Sequence, residues 1–240
     1  MKLQQIFLPL TVILFGVSVA LADDQPSIDD LLAPPEVEAP GGPPPEDLCA
    51  REPKWNWEEE PLNPGLTTAE QFRVWAFTKA DRNRGRDLFL LGLMHEYGQG
   101  LRKDENEATS FFEQAAKKGY ARAHTRLGDI YCGRELYCLS ALSYHSAALQ
   151  ESPEAHIRLS RLYRWGLGVF YDPVAAYQWA LSARELDKGT TVLENFGYDQ
   201  YIKSIEDLIT DAEIVEGEVR AERWMKGFFP ANVSCRQDEE

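Results

Sequence analysis

Apolar positions in the middle of the chain recur every three or four residues, and this periodicity predicts helices that come in pairs. Phe72, Val74, Trp75, Ala76 and Ala80 make a helix with one apolar face reaching about Arg84. Thr67-x-x-Glu70 is a capping-box pattern at its start, in which a hydroxyl and a carboxylate satisfy free amides. Further on, Leu91-Gly92-x-x-His95-x-x-Gly98-x-Gly100-Leu101-x-x-Asp104 is followed by Ala108, Phe111 and Ala115-Ala116. The order returns in Leu159-Ser160-x-Leu162-Tyr163-x-x-Gly166-x-Gly168-Val169-x-x-Asp172, then Ala176, Trp179 and Ala183. A shorter copy lies between them, with Leu127-Gly128-Asp129-Ile130-Tyr131, then Ala141, Tyr144 and Ala148. The Leu markers stand 36 and then 32 residues apart. No alternating β-branched run is long enough to suggest a sheet.

Each copy reads as two antiparallel helices. Leu and Tyr of the first helix point inward, and Gly or Ser beside Leu lets the facing helix approach closely. The Gly-x-Gly turn needs a permissive backbone, and Asp104 or Asp172 caps the second helix. Small Ala residues on the second helix permit tight stacking of the next copy. A lone hairpin cannot bury both faces, so the copies must stack.

These motifs resemble those of the Sel1-like repeat family, relatives of tetratricopeptide repeats, and residues 88–187 carry them. The resemblance implies an all-α, right-handed solenoid of antiparallel helix pairs. Repeats are expected at about 88–122, 123–154 and 155–189, with end helices at 67–86 and 195–226, in a domain spanning 67–228. Two departures stand out: His95 replaces the usual Tyr, and the middle copy has lost its Gly-x-Gly-Val turn. Residues 69–84 look like the second helix of an incomplete leading unit, because Trp75 lies 36 residues before Phe111. Tyr198–Ile209 and Asp211–Lys226 look like closing helices, the latter capped by Thr210 and interrupted by Gly217.

The N-terminal sequence changes the picture of where the protein works. Met1-Lys2, the apolar run Ile6–Val19 and Ala20-Leu21-Ala22 have the layout of a signal peptide over residues 1–22; an uncleaved anchor helix is the alternative. Residues 23–66 are acidic and Pro-rich and are expected to be disordered or extended. They hold twelve acidic against two basic residues, so much of the net charge of −14 belongs to them. Trp55 and Trp57 in this segment either pack back on the first helix or hook a partner. Residues 229–240 form a C-terminal tail. The acidic balance argues against nucleic acid as a partner, and nothing after the leader is apolar for long enough to span a membrane.

Export to the periplasm would place four cysteines in an oxidising compartment, where three connectivities are open to them. Cys132 and Cys138 flank the shortened turn of the middle copy, so a bridge between them would stand in for the lost Gly-x-Gly geometry. That leaves Cys49 and Cys235 as the second pair. No cofactor or metal site is expected: His95, His124, His145 and His156 include no pair at the three- or four-residue spacing of helix-borne ligands. No catalytic residues are expected either, because Gly-x-Ser-x-Gly and Ser-x-x-Lys motifs are absent and the Gly-x-Gly turns follow helices, not strands. Asn232-Val233-Ser234 is a glycosylation acceptor only in a eukaryotic secretory pathway.

What remains is a surface for another protein. The tetratricopeptide-like geometry puts first-helix positions on a concave groove. Counting from the Leu markers gives Arg86, Phe89, Leu93 and Glu96, then Arg122, Thr125 and Asp129, then Glu154, Ile157, Arg161 and Arg164, with Trp165 close by. Such a mixture suits a peptide or helix. The resemblance implies an envelope or periplasmic scaffold or regulator, or a component of an assembly such as a flagellar motor. A hydrolase acting on β-lactams or cell wall is the alternative from another class.

Overall fold

In the computed structural model the described residues are 48–49, 66, 68–188, 197–227 and 233–235. They belong to the second of two compact units, Glu36–Glu240, the first being Met1–Pro35. The expectations for the leader, Trp55, Trp57, Thr67 and Asn232 lie outside the described residues.

The described chain is helical: α1 (Ala69–Thr78), α2 (Gly85–Tyr97), α3 (Glu105–Lys117), α4 (Ala121–Gly133), α5 (Tyr137–Ala148), α6 (Pro153–Trp165), α7 (Pro173–Asp187), α8 (Tyr198–Glu206) and α9 (Asp211–Met225). Among the described residues, extended pairing is limited to one antiparallel bridge between Val169 and Cys235. α2 pairs with α3, α4 with α5 and α6 with α7; α3 then packs on α4 and α5 on α6. The result is an all-α stack of helix hairpins, closed by α8 and α9 against α7.

The caps explain where these helices start. Asp104 accepts from the amides of Asn106 and Glu107, and Asp172 from that of Ala175. Thr210 and Glu213 form a capping box at α9. At α1 the box is one residue later than Thr67-x-x-Glu70: Thr68 caps, its partner is Gln71, and Glu70 pairs with Arg73 instead. α1 also ends at Thr78, short of Arg84. The amides of Lys79 and Ala80 both return to the Trp75 carbonyl, and the next turn is held by Asp81 and Asp87 side chains accepting from Asn83 and Asp81. Helix α8 likewise stops at Glu206, three residues before Ile209.

The repeat markers do what their spacing predicts. Leu91, Leu127 and Leu159 are buried, as are Ala108, Ala115, Ala141, Ala148, Ala176 and Ala183. Beside the Leu markers, a Cβ on Gly92 or Gly128 would lie 2.5 or 2.4 Å from the ring of Phe112 or Tyr144, so these helices approach as only Gly allows. In the third unit Ser160 takes the place and donates to the Ala176 carbonyl at 2.6 Å. The outer turns rest on the preceding second helix. Gly168, at φ +64°, lies so near Tyr137 and Cys138 that a Cβ would meet backbone at 2.2 Å. Gly100 sits against Ala69 and Arg73 of α1 in the same way, which makes α1 the second helix of a leading unit. Where the middle copy lacks this turn, Arg134 reaches Glu105 at the start of α3 at 3.7 Å.

Candidate partner-binding face

The first helices of successive units are tied together by polar contacts that run across the stack. Arg126 on α4 donates to Glu96 on α2 at 2.9 Å and to the Tyr97 hydroxyl. Asp129, one turn further along α4, pairs with Arg126 at 3.6 Å and with Arg158 on α6 at 3.4 Å, and accepts from the Tyr144 hydroxyl at 2.8 Å. On the far side of α6, Ser160 meets the Tyr201 hydroxyl at 3.0 Å and Arg164 donates to Ser204 at 2.6 Å, both on α8. Four helices (α2, α4, α6 and α8) thus form one row, and α8 serves as the first helix of a fourth unit.

Within the row, two guanidiniums and two carboxylates offset one another away from water. Burial disfavours charge on Arg126, yet Glu96, Tyr97 and Asp129 outweigh it and hold its proton more tightly than usual. Burial and the Asp129 carboxylate push the Tyr144 phenol well above its ordinary range, so it remains a donor.

This row corrects the groove expected from the sequence. Phe89, Leu93, Glu96, Thr125, Asp129 and Ile157 are buried, each at most 6% exposed. Phe89 packs on Phe112 and Tyr120; Leu93 is in the first core; Ile157 is covered by Tyr198 and Tyr201 of α8. Phe89 is thus covered by its own hairpin and the residue before α4, Glu96 and Asp129 by the ion pairs across the row, and Ile157 by α8. Arg86 is exposed, and Arg122, Glu154, Arg161, Arg164 and Trp165 are half-buried. Arg86, Arg122 and Glu154 occupy one register position in the three units, five residues before each Leu marker. The Arg164 guanidinium lies 5.8 Å from the Trp165 ring and 5.5 Å from that of Tyr201, so a hydrogen bond and two rings hold it.

A second constellation gathers around Trp179, the one of its four rings that the repeat pattern marks. Trp179 on α7 and Trp224 on α9 meet edge to face at 4.5 Å, and the rings of His145 and His156 stand 5.2–6.1 Å from both. His156 is fully buried; its Nδ1 bonds the Ser152 carbonyl at 2.7 Å and its Nε2 has no hydrogen-bond partner among the described residues. Burial, helped by His145 and opposed by the Ser152 carbonyl, lowers its pKa to about 4. It therefore packs as a neutral ring that locks α9 onto the stack.

The cysteines are bonded, but the pairing differs from the one expected. Cys49 joins Cys132, and Cys138 joins Cys235. Cys132 is in the last turn of α4 and faces the second core beside Leu48, whereas Cys138 opens α5 beside the Gly168 turn. The Val169–Cys235 bridge brings the C-terminal segment to that turn. Leu48 and Val233, both outside the repeats, are buried in the same core.

These hairpins, linked through their first helices and stacked through small residues on their second, define an α-solenoid built from two-helix repeats. The chain carries two segments that match the Sel1 repeat, residues 86–120 and 153–188, the two units that keep the Gly-x-Gly turn. Among solved structures, a Sel1 repeat protein from Oxalobacter formigenes has a TM-score of 0.48 and 24% identity, with 58% of this chain and 39% of that one covered. A protective antigen of uropathogenic Escherichia coli displaying an SLR fold has a TM-score of 0.45 and 17% identity, with 71% and 46% covered. The chain thus spans less than half the length of either. No curated protein matches it. Sel1 repeat proteins generally mediate protein–protein interaction.

Proposed function

We propose that this protein is an exported, non-enzymatic scaffold that binds a segment of an envelope or periplasmic protein along the first-helix row. The observation that carries this reading is the row itself. Buried ion pairs and hydrogen bonds link α2, α4, α6 and α8 without an intervening loop, while Arg86, Arg122 and Glu154 recur at one register on its surface. A preorganised row of this kind binds without the ordering cost that a flexible surface incurs. Arg161 and Trp165 extend the surface at the third unit, where a half-buried Trp beside Arg suits an anchor for an aromatic or acidic residue of the partner.

Export is supported by the leader-like residues 1–22 and by two disulfides, which persist in oxidising compartments. Nothing in the row requires a covalent step. Photo-crosslinking residues placed at Arg86, Arg122 and Glu154 in the producing cell should capture one and the same protein. The double variant Arg86→Glu, Arg122→Glu should lose that capture, and the isolated mature chain should begin at Asp23. Equal capture from a control position such as Glu222 on α9 would sink the assignment of the row.

A further inference from the structure

α5 carries a feature that the first-helix row does not use. Its outward side chains are Leu139 and Leu142, 45 and 40% exposed, with Leu136 just before the helix at 38% and Leu149 just after it at 42%. The same register on the other second helices shows how unusual this is. Aligned on Phe111, Tyr144 and Trp179, the α3 residues matching Leu139, Leu142 and Ser146 are Asn106, Thr109 and Glu113, all polar. The α7 residues are Val174, Tyr177 and Leu181, which are apolar and lie beneath α8 and α9. Gly217 of α9 presses directly on the Tyr177 ring. This face is thus polar on α3, apolar and covered on α7, and apolar but open on α5.

Two further observations say what covers it. Tyr137–Ala148 contains no Asp, Glu, Lys or Arg, and α5 is the only helix among the described residues of which this is true. Its serines present no spare donor outward: Ser143 and Ser146 donate to the carbonyls of Leu139 and Leu142 at 2.8 and 2.9 Å. In a chain of net charge −14, an identical molecule meets repulsion over most of the surface. A two-fold contact places a patch against itself, so a patch with net charge repels its own copy, and a charge-free patch escapes that penalty. The spacing of Leu139, Leu142, Ser146 and Leu149 is three, four, three, the seam of two packed helices.

We propose that α5 is the seam of a homodimer, packing antiparallel against α5 of a second copy about an axis near residue 144. That axis sets Leu139 opposite Leu149 of the second copy, and Leu142 opposite its Ser146, so each contact at the small serine is filled by a leucine. The face lies on a second helix and does not involve the first-helix row, so the two surfaces are tested apart.

Sedimentation velocity on the oxidised mature protein across the micromolar range should show a monomer–dimer equilibrium. Leu139→Gln with Leu142→Gln should weaken it by at least about a hundredfold, with unchanged helical circular dichroism and intact disulfides. Partner capture at Arg86 and Arg122 should persist in this variant. A wild-type protein that stays monomeric would overturn the proposal and leave the face to a different protein. A dimer that survives both substitutions would overturn it as well.

Discussion

Replacing Asp129 with alanine tests whether the buried charges across α2, α4 and α6 hold the stack or merely sit in it. Asp129 is 1% exposed and pairs with Arg126 at 3.6 Å and Arg158 at 3.4 Å, while Tyr144 donates to it at 2.8 Å. With Glu96 it balances the two guanidiniums charge for charge. Its removal leaves one buried positive charge in excess and a phenol without its acceptor. Breaking a buried pair by deleting one partner costs about 3–5 kcal/mol, far more than the pair contributes relative to apolar side chains. The lost Tyr144 contact falls within the range of about 1–3 kcal/mol for a stranded buried donor and overlaps with the first cost. We expect about 4 kcal/mol in urea unfolding, or a fall of about 8–16 °C in melting temperature for a domain of this size. The triple variant Asp129→Leu, Arg158→Met, Tyr144→Phe removes more polar atoms yet leaves Glu96 and Arg126 balanced, so it should be more stable than Asp129→Ala. A loss below about 1 kcal/mol for Asp129→Ala, or a triple variant worse than the single one, would refute the reasoning.

The His156 site predicts acid sensitivity with a defined sign. Its folded pKa, about 4, lies below the ordinary 6.5, so the unfolded chain takes up the proton first. Stability from this group is complete above pH 6.5 and is lost as pH falls towards 4, by about 3 kcal/mol. His145, also lowered by burial, adds to the loss in the same direction. His156→Phe, which keeps a ring against Trp179 and Trp224, should flatten that slope; an unchanged slope in urea titrations between these pH values places the sensitivity elsewhere. Peptide mapping without reduction should recover Cys49 with Cys132 and Cys138 with Cys235. Each bridge closes a loop near 100 residues, 83 and 97 in sequence separation, so Cys138→Ala with Cys235→Ala should cost about 4–5 kcal/mol in the chain-entropy account. A pairing of Cys132 with Cys138 would contradict the structure.

The repeats were readable because each marker acts locally. Leu159 buries itself in its own hairpin, Asp172 caps the helix that follows it, and Trp75 announces its register by lying one period before Phe111. The groove was not readable in the same way. Leu93 and Ile157 differ little in kind from residues that line open grooves, yet Leu93 enters the first core and Ile157 is covered by α8, whose approach no local pattern encodes. Arg126 and Arg158, immediately before two of the Leu markers, were the available signal: a charge repeated at a core-facing register must find a buried partner. The cysteines show the same boundary. Proximity in sequence favoured joining Cys132 to Cys138, yet one ends α4 facing the core and the other begins α5 facing the next turn. Only the three-dimensional placement of Leu48 and of Val169 beside Cys235 reveals their partners. Gly217, which weakens a helix on propensity alone, is accounted for by the Tyr177 ring at its α-carbon.

The two disulfides have a mechanical consequence. Cys49–Cys132 closes off everything from residue 50 to 131, and Cys138–Cys235 everything from 139 to 234. A pull applied at the chain ends enters at Cys49, crosses to Cys132, follows the backbone to Cys138 and leaves through Cys235. Tension therefore travels through the short α4–α5 connection and two sulfur–sulfur bonds, while the helix pairs hang on either side of the load path as slack loops. Under oxidising conditions the repeats are spared a pull on the tails; once the sulfurs are reduced, the same pull runs through every hairpin.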